Sequence, residues 1–207
     1  MLKILGRKTS SNVMEVLWLC AELGIEYDRE DVGGPFGRND EPEYLAKNPN
    51  GLVPTIEDGD FILWESNAIV RYLAAKHGAG STIWPDDLQV RASADRWMDW
   101  QLSKVAPQIT PIFWNLVRTP EPDRNMDAVA AAIKSGHEVW GILDAQLSKT
   151  DFVAGNDFTV GDIPVGIHAF RWFSLVEDRP KMPGLEAWYA RLQDRPAYRE
   201  HCMNPLV

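Results

Sequence analysis

The sequence predicts an α/β N-terminal domain followed by an all-helical C-terminal domain, and three observations support this fold class. In the first third of the 207 residues, short apolar runs alternate with segments of helical periodicity. A hairpin signal follows within the same region. From residue 88 onward, nearly every apolar segment has helical spacing. The balance of 45% hydrophobic and 25% charged residues excludes disordered, collagenous and fibrous classes.

The first two elements are a strand and a helix. The apolar run at residues 2–5 predicts a short strand, and an apolar face at helical spacing follows it until Gly24. Asn12 and Glu15 have the spacing of a capping box. We therefore expect this helix to begin with Asn12 as its cap.

A second strand and a hairpin complete the N-terminal unit. Residues 25–32 predict a more polar strand, and the glycine-rich residues 33–37 predict a loop. Asp58-Gly59 separates two runs rich in strand formers, which predicts a tight hairpin and hence antiparallel third and fourth strands. Ser66 then begins a helix that ends at His77 and Gly78. Residues 1–77 therefore predict one α/β domain.

The remaining sequence predicts a linker and a helical domain. Residues 78–87 contain the turn formers of a linker, and residues 88–207 form the predicted second domain. Helices are expected at about 88–118, 124–148, 160–175 and 184–194. Large aromatic side chains at helical spacing predict the core of a helical bundle.

Charge and cysteine content exclude several function classes. Lysine and arginine number 21 against 30 acidic residues, and this net negative charge argues against binding to nucleic acid or an anionic membrane. Cys20 and Cys202 stand far apart, which excludes a disulfide framework, a zinc ribbon and a dithiol motif. We expect Cys20 to be buried and Cys202, in the tail, to be exposed. No metal-ligand spacing, signal peptide or membrane span is recognisable, so we expect a cytoplasmic protein without a metal.

Three segments carry candidate functional residues. The hydroxyls of Ser10 and Ser11 lie just before a helix, where backbone N–H groups and the helix dipole favour an anion, although simple capping explains the same residues. Pro54 stands where a turn enters an edge strand. Glu65 and Ser66 offer an acceptor for an ammonium beside helix-start donors for a carboxylate, which matches the α-amino acid end of a peptide. A serine hydrolase is not favoured, because no nucleophile elbow is present.

In their order and spacing, residues 6–13, 48–54 and 64–73 resemble the glutathione S-transferase family, with theta-like or nu-like features of a bacterial member. Residues 158–163 are similar to the buried capping box of that family, with Thr159 and Asp162 as its two partners. The resemblance implies a thioredoxin-like N-terminal domain that binds glutathione and a helical domain that completes a hydrophobic pocket for a second substrate. It also implies a homodimer with a role in detoxification.

The resemblance implies a catalytic centre at the start of the first helix. Ser10 occupies the position of the catalytic serine or threonine, and Ser11 takes that place if the register is shifted by one residue. Asn12 occupies a position from which some bacterial members keep an asparagine facing the sulfur. The tyrosine and cysteine that other classes use are absent from this position.

The resemblance also implies the contacts to glutathione. Glu65 and Ser66 hold the γ-glutamyl group, and the backbone of Val53, before a cis bond to Pro54, pairs with the cysteinyl part. Asn39 and its neighbour Arg38 lie where the family often contacts the glycyl carboxylate, although the register is open there.

The second substrate is the least determined part. Trp100, Phe113 and Trp114 are candidates for the hydrophobic pocket, although a role in the bundle core explains them equally well. Conjugation of glutathione to small electrophiles is the leading hypothesis. A glutathione-dependent disulfide reductase or peroxidase, or a non-catalytic glutathione-binding module, are the alternatives.

Overall fold

A four-stranded mixed sheet forms the centre of the N-terminal half in the computed structural model, which describes residues 1–207. The strands are β1 (Leu2–Leu5), β2 (Tyr27–Glu30), β3 (Thr55–Asp58) and β4 (Phe61–Trp64), in the order β2-β1-β3-β4. β1 is parallel to β2 and antiparallel to β3, and β3 pairs with β4 in the predicted hairpin. Gly59 has φ 63° in the hairpin turn, a value that a glycine adopts without steric cost.

Three helices accompany this sheet: α1 (Ser11–Leu23), α2 (Pro42–Leu45) and α3 (Ser66–His77). The predicted start of α1 was wrong. Ser10, not Asn12, is the N-cap, because the Met14 N–H donates to the Ser10 carbonyl at 2.9 Å. Glu15 does not complete a capping box, since its side chain is buried at the interface with α3.

β2 is shorter than residues 25–32. The Ile25 N–H donates to the Cys20 carbonyl at 2.8 Å and so belongs to the end of α1, which closes at Gly24 with φ 64°. The strand can begin only after that turn.

The second half of the chain is helical, as predicted. The segment 88–118 contains α4 (Leu88–Trp100) and α5 (Ala106–Phe113), each followed by a wide π-helical turn, at Gln101–Val105 and Trp114–Arg118. Two prolines remove backbone donors from this stretch, which disturbs regular α-helical bonding. The later helices are α6 (Met126–Leu147), α7 (Asp162–Leu175), α8 (Pro183–Gln193) and the unpredicted α9 (Pro196–His201). None of the helices is long and apolar enough to cross a membrane.

One continuous apolar core joins the two halves. α1 packs against α3 on one side and against α7 and α9 on the other. Trp18 of α1 is fully buried, with its ring centre 5.4 Å from that of Phe158 and 4.7 Å from that of Tyr198. The helical half therefore fixes the position of α1.

A buried carboxyl group organises the start of α7. Asp162 accepts hydrogen bonds from the Thr159 N–H at 2.9 Å, the Val153 N–H at 3.0 Å and the Trp188 indole N–H at 2.8 Å. The Thr159 hydroxyl in turn accepts from the Gly161 N–H at 3.3 Å. These are the reciprocal bonds of a capping box.

Both cysteines are buried. Cys20 is fully covered within α1, and Cys202 is only 1% exposed at the end of α9. The expected exposure of Cys202 was wrong, because the sequence gives no sign that the last helix folds back onto α1. Burial raises the pKa of the Cys20 thiol to about 12 and also raises the pKa of Cys202.

Candidate active site

The N-terminus of α1 is open. The Ser10 N–H donates to the Arg7 carbonyl at 3.1 Å, and no side chain caps the helix. The N–H groups of residues 11–13 have no backbone acceptor, and the half-buried Ser10 hydroxyl makes no hydrogen bond within the protein. Ser11 differs, because its hydroxyl donates to Asn12 Oδ1 at 3.3 Å. An anion at this position would meet a free hydroxyl and the positive end of the helix dipole.

Polar side chains form hydrogen bonds to the inner side of the loop before β3. Its Val53-Pro54 peptide bond is cis. The Leu52 carbonyl accepts from the Tyr44 hydroxyl at 2.5 Å and from Asn48 Nδ2 at 2.8 Å. The loop is therefore fixed on its inner side, while the Val53 N–H and carbonyl make no hydrogen bond within the protein.

Asn39 also braces this loop. Its Nδ2 donates to the Gly51 carbonyl at 2.8 Å. Gly51 has φ 62°, and a Cβ there would lie 3.1 Å from the Asn39 carbonyl oxygen. The neighbouring Arg38 turns away to pair with Glu30 of β2.

Gly6 brings this loop close to the start of α1. A Cβ at Gly6 would lie 2.5 Å from Val13 Cγ2 and 3.3 Å from Val53 Cβ. The end of β1 thus has Val13 of α1 on one side and the loop on the other, with no room for a larger side chain.

The junction between β4 and α3 has an unusual backbone. Glu65 has φ 73°, and its backbone carbonyl accepts from the Ile69 N–H at 2.9 Å at the start of α3. Its exposed side chain makes no hydrogen bond within the protein. A positive φ at a residue other than glycine costs roughly 1–3 kcal/mol and recurs at functional sites. Ser66, the first residue of α3, is only 5% exposed.

Glu15 is the functional candidate that sequence reasoning missed at this junction. Burial raises the pKa of its carboxyl group to about 8, and the Ser66 side chain and Arg171 only partly offset that shift. α1 is buried on every side from Val13 to Cys20, so helical spacing alone could not distinguish Glu15 from a surface residue.

Three arginines near the start of α1 were also missed. The guanidinium carbons of Arg171 and Arg118 lie 4.0 Å and 5.4 Å from the ring centre of Phe113. Arg7 packs against Gly34, where a Cβ would lie 2.9 Å from the Arg7 Nε. The only signal in the sequence is an arginine inside the apolar stretch of α7.

The structure separates the three predicted pocket aromatics. Phe113 is buried and lines a cavity together with Thr9 and Met14, beside Ser10. Trp114 is 57% exposed. Trp100 packs edge-on against Trp97 and lines a groove between α4 and α6, away from the residues that surround Ser10.

Comparisons with known proteins identify the family of this chain. The family model described as the glutathione S-transferase N-terminal domain matches residues 2–75, and the one described as the C-terminal domain matches residues 105–196. Among curated relatives, glutathione S-transferase GstB of Escherichia coli K12 is 40% identical over the full length of both chains. Glutathione S-transferase 3 of Zea mays is 31% identical over 96% of this chain and 92% of its own.

Solved structures give the same result. The theta class glutathione S-transferase of Xanthomonas axonopodis pv. citri, with glutathione bound, superposes with a TM-score of 0.95 at 46% identity, covering 100% of this chain and 99% of that one. Glutathione transferase F7 of Populus trichocarpa superposes with a TM-score of 0.89 at 26% identity over 99% of this chain and 100% of that one. With family models over both halves and close full-length relatives, the chain belongs to the glutathione S-transferase family.

Proposed function

We propose that this glutathione S-transferase ionises the thiol of glutathione at the start of α1 and directs the thiolate at an electrophilic carbon of a small second substrate. The observation that carries the proposal is the Ser10 hydroxyl, which lacks a partner within the protein and lies at an uncapped helix N-terminus. Residues 6–13, 48–54 and 64–73 follow the order of the glutathione-binding segments in this family, which supports the same position for the sulfur.

Ionisation of the glutathione thiol is unfavourable at neutral pH without the protein. A free thiol has a pKa of about 8.5, so only a few per cent is thiolate at neutral pH. A hydrogen bond from the Ser10 hydroxyl and the dipole of α1 both stabilise the charged form. A fall of two units in the pKa of the bound thiol corresponds to about 2.7 kcal/mol. Serine keeps its own proton throughout, and Ser11 and Asn12 are the substitutes for this role.

The remaining contacts would hold the tripeptide along the edge of the sheet. The unpartnered Val53 N–H and carbonyl are available to pair with the cysteinyl unit, beside Pro54. The Glu65 carboxylate suits the α-ammonium group, and Ser66 with the first N–H groups of α3 suits the α-carboxylate. Asn39 is the candidate nearest to the glycyl end.

The second substrate would enter from the helical half. Phe113 is the best supported of the predicted pocket residues, because it lies at a narrow cavity with Thr9, the residue next to Ser10. Trp114 is the next residue in the chain, begins the π-helical turn that follows α5, and is exposed. Trp100 has the weakest support, since it lines a separate groove.

A second candidate activity is reduction of disulfides or peroxides by glutathione. It is favoured by the exposed Asn12 amide beside Ser10 and by the burial of both cysteines, which leaves glutathione as the only accessible thiol. Initial rates with 1-chloro-2,4-dinitrobenzene and with hydroxyethyl disulfide separate the two. Activity on the disulfide alone would replace the first proposal with the second.

Glutathione binding is tested separately by calorimetry at millimolar concentrations. We expect binding to the native chain and weaker binding to Glu65→Gln. If glutathione does not bind, both enzymatic proposals fail and a non-catalytic module is the better description.

We also propose a cytoplasmic homodimer. β4 is an edge strand of the sheet, and its Phe61, Ile62 and Trp64 side chains are 46%, 40% and 37% exposed. An apolar edge strand of this kind invites pairing with another chain. Light scattering should give twice the mass of one chain, and Ile62→Lys should lower it. A monomeric mass for the native chain would contradict the proposal.

A further inference from the structure

Three arginines of this chain are unlike the others. Arg7, Arg118 and Arg171 form no salt bridge and donate no hydrogen bond to protein, whereas every other arginine donates at least one. The Nε atoms of Arg7 and Arg118 are buried without a partner. A guanidinium group with buried, unsatisfied donors is costly unless a ligand completes its hydrogen bonds.

These three side chains come from different elements but meet in one region. The guanidinium carbons of Arg118 and Arg171 both lie over the ring of Phe113, at 5.4 Å and 4.0 Å from its centre. Arg7 belongs to the turn that leads into α1, and its carbonyl accepts from the Ser10 N–H at 3.1 Å. Arg171 and Phe113 line the same cavity as Thr9. The cluster therefore lies beside the proposed sulfur position.

Their charges are not compensated. The pKa of Arg171 is lowered to about 10 by burial and by the like charges of Arg118 and Arg7, and the pKa of Arg7 is lowered by burial and by Arg118. Glu15 is the one carboxyl group that acts on Arg171, and burial raises its pKa to about 8. Near neutral pH most of the Glu15 population is therefore protonated and provides little negative charge.

We propose that Arg7, Arg118 and Arg171 form a subsite for a carboxylate carried by the second substrate, so that this enzyme favours anionic electrophiles. The inference rests on the proposed function, because it names the substrate class of the same site. Guanidinium groups bind carboxylates through paired N–H donors, and the partly buried setting strengthens each bond.

Glutathione carries carboxylates too, but the position of the cluster favours the second substrate. Arg118 and Arg171 belong to the helical half, and of the cluster only Arg7 belongs to the sheet half. The proposed glutathione contacts Val53, Glu65 and Ser66 all belong to the sheet half. Trp114, which is 57% exposed on the same π-helical turn as Arg118, also offers an apolar surface, as an aromatic or aliphatic electrophile requires.

The test uses 4-chloro-3,5-dinitrobenzoate and its methyl ester, which differ in the negative charge. With either compound the glutathione thiolate supplies the electron pair of the new C–S bond, and chloride leaves with the electron pair of the C–Cl bond. The thiol proton passes to solvent, and no oxidant or reductant is consumed. We expect kcat/KM for the acid to exceed that for the ester, although the ester is the more reactive aryl halide in solution.

Arg118→Gln is the lead variant, because Arg118 is on the more accessible π-helical turn. It should lower the acid-to-ester ratio of kcat/KM about 10- to 100-fold, since a hydrogen-bonded charge is lost. Arg118→Lys should restore part of the ratio. Arg96→Gln is the matched control, because Arg96 is exposed on α4 and donates only to Ser93 Oγ; it should leave the ratio as in the native chain.

The outcomes are distinguishable. An unchanged ratio in Arg118→Gln and Arg7→Gln, with the ester still turned over, overturns the subsite and leaves the proposed function intact. A higher KM for glutathione with an unchanged ratio assigns the cluster to a carboxylate of glutathione instead, which also overturns it. If neither compound reacts, the proposed function fails, and calorimetry with unreactive 3,5-dinitrobenzoate decides the subsite: binding that Arg118→Gln abolishes supports it, and no binding to the native chain rejects it.

Discussion

The buried carboxyl group of Glu15, on α1, lies beside the Ser66 side chain at the first turn of α3. This contact joins the beginnings of the two helices that the proposed site uses, one for the sulfur and one for the γ-glutamyl group. Because the two helices pack directly on each other, we expect a change at Glu15 to affect both the proposed sulfur position and the proposed γ-glutamyl position.

Glu15→Gln should remove part of the pH dependence of stability. The pKa of Glu15 is about 8 in the folded chain against 4.5 for the free side chain, so the native state holds a proton there that the unfolded state has lost between these values. The free energy of unfolding therefore falls as pH rises through this window, by up to about 1.4 kcal/mol per pH unit, and the full contribution is present only below pH 4.5.

Denaturant titrations of both chains between pH 6.5 and 8 measure this effect. Burial raises the pKa of Asp162 to about 6, below most of this window, so Asp162 contributes little there. Burial lowers the pKa of His168 from 6.5 to about 4, so His168 adds some stability as pH rises above 6.5, but it does so in both chains and cancels in their difference. The native chain should lose stability across the window, and Glu15→Gln should lose less. Parallel curves would show that Glu15 is ionised in the folded chain.

Ser10→Ala should raise the pKa of bound glutathione by about 1–2 units and lower turnover about 10- to 100-fold at neutral pH, because a hydrogen bond to a charged sulfur is lost. Ultraviolet difference titration of the thiolate gives the pKa directly. Ser11→Ala is the control, since its hydroxyl already donates to Asn12. An unchanged titration in Ser10→Ala would assign the role to Ser11 or Asn12.

Glu65→Gly should stabilise the chain and weaken glutathione binding together. Glycine accepts the φ of 73° without steric cost, so part of the roughly 1–3 kcal/mol of strain is relieved, while the carboxylate is lost. Thermal unfolding and calorimetry measure the two effects. Glu65→Gln separates them, because it removes the charge and keeps the backbone penalty; equal binding by all three chains would rule out a role in holding the ammonium group.

Gly6→Ala should destabilise the chain by about 1–3 kcal/mol, because the new Cβ would lie 2.5 Å from Val13 Cγ2 and force α1 and the Val53 loop apart. The affinity for glutathione should fall as well. Gly141→Ala is the matched control: no atom lies within 4 Å of its Cβ position on α6, so it should stabilise the helix by roughly 0.5–1 kcal/mol. If Gly6→Ala is as stable as the native chain, the close approach at the end of β1 has no structural role.

The fold was largely predictable because its signals are local. The Asp58-Gly59 turn specified the β3–β4 hairpin, and apolar spacing specified α1 and the long helices of the second half. The missed α9 has only six residues, too few for periodicity to mark.

The site was predictable only in part, because its electrostatics depend on contacts between distant elements. Glu15 is close to Ser66, and Arg171 to Phe113, only after α1, α3, α5 and α7 have packed together. A pattern of apolar residues along one helix does not encode such pairs. The start of α1 was placed too late for a related reason, since a buried Glu15 has the same spacing from Asn12 as a capping glutamate.

The burial of both cysteines affects how well the enzyme resists modification by its own substrates. A catalyst that acts on electrophiles is itself at risk, because an accessible thiol on its own surface would react with the substrate. With Cys20 and Cys202 shielded and held in their neutral form, the chain presents no competing nucleophile of that kind. Many turnovers on reactive compounds should therefore leave both cysteine thiols unmodified.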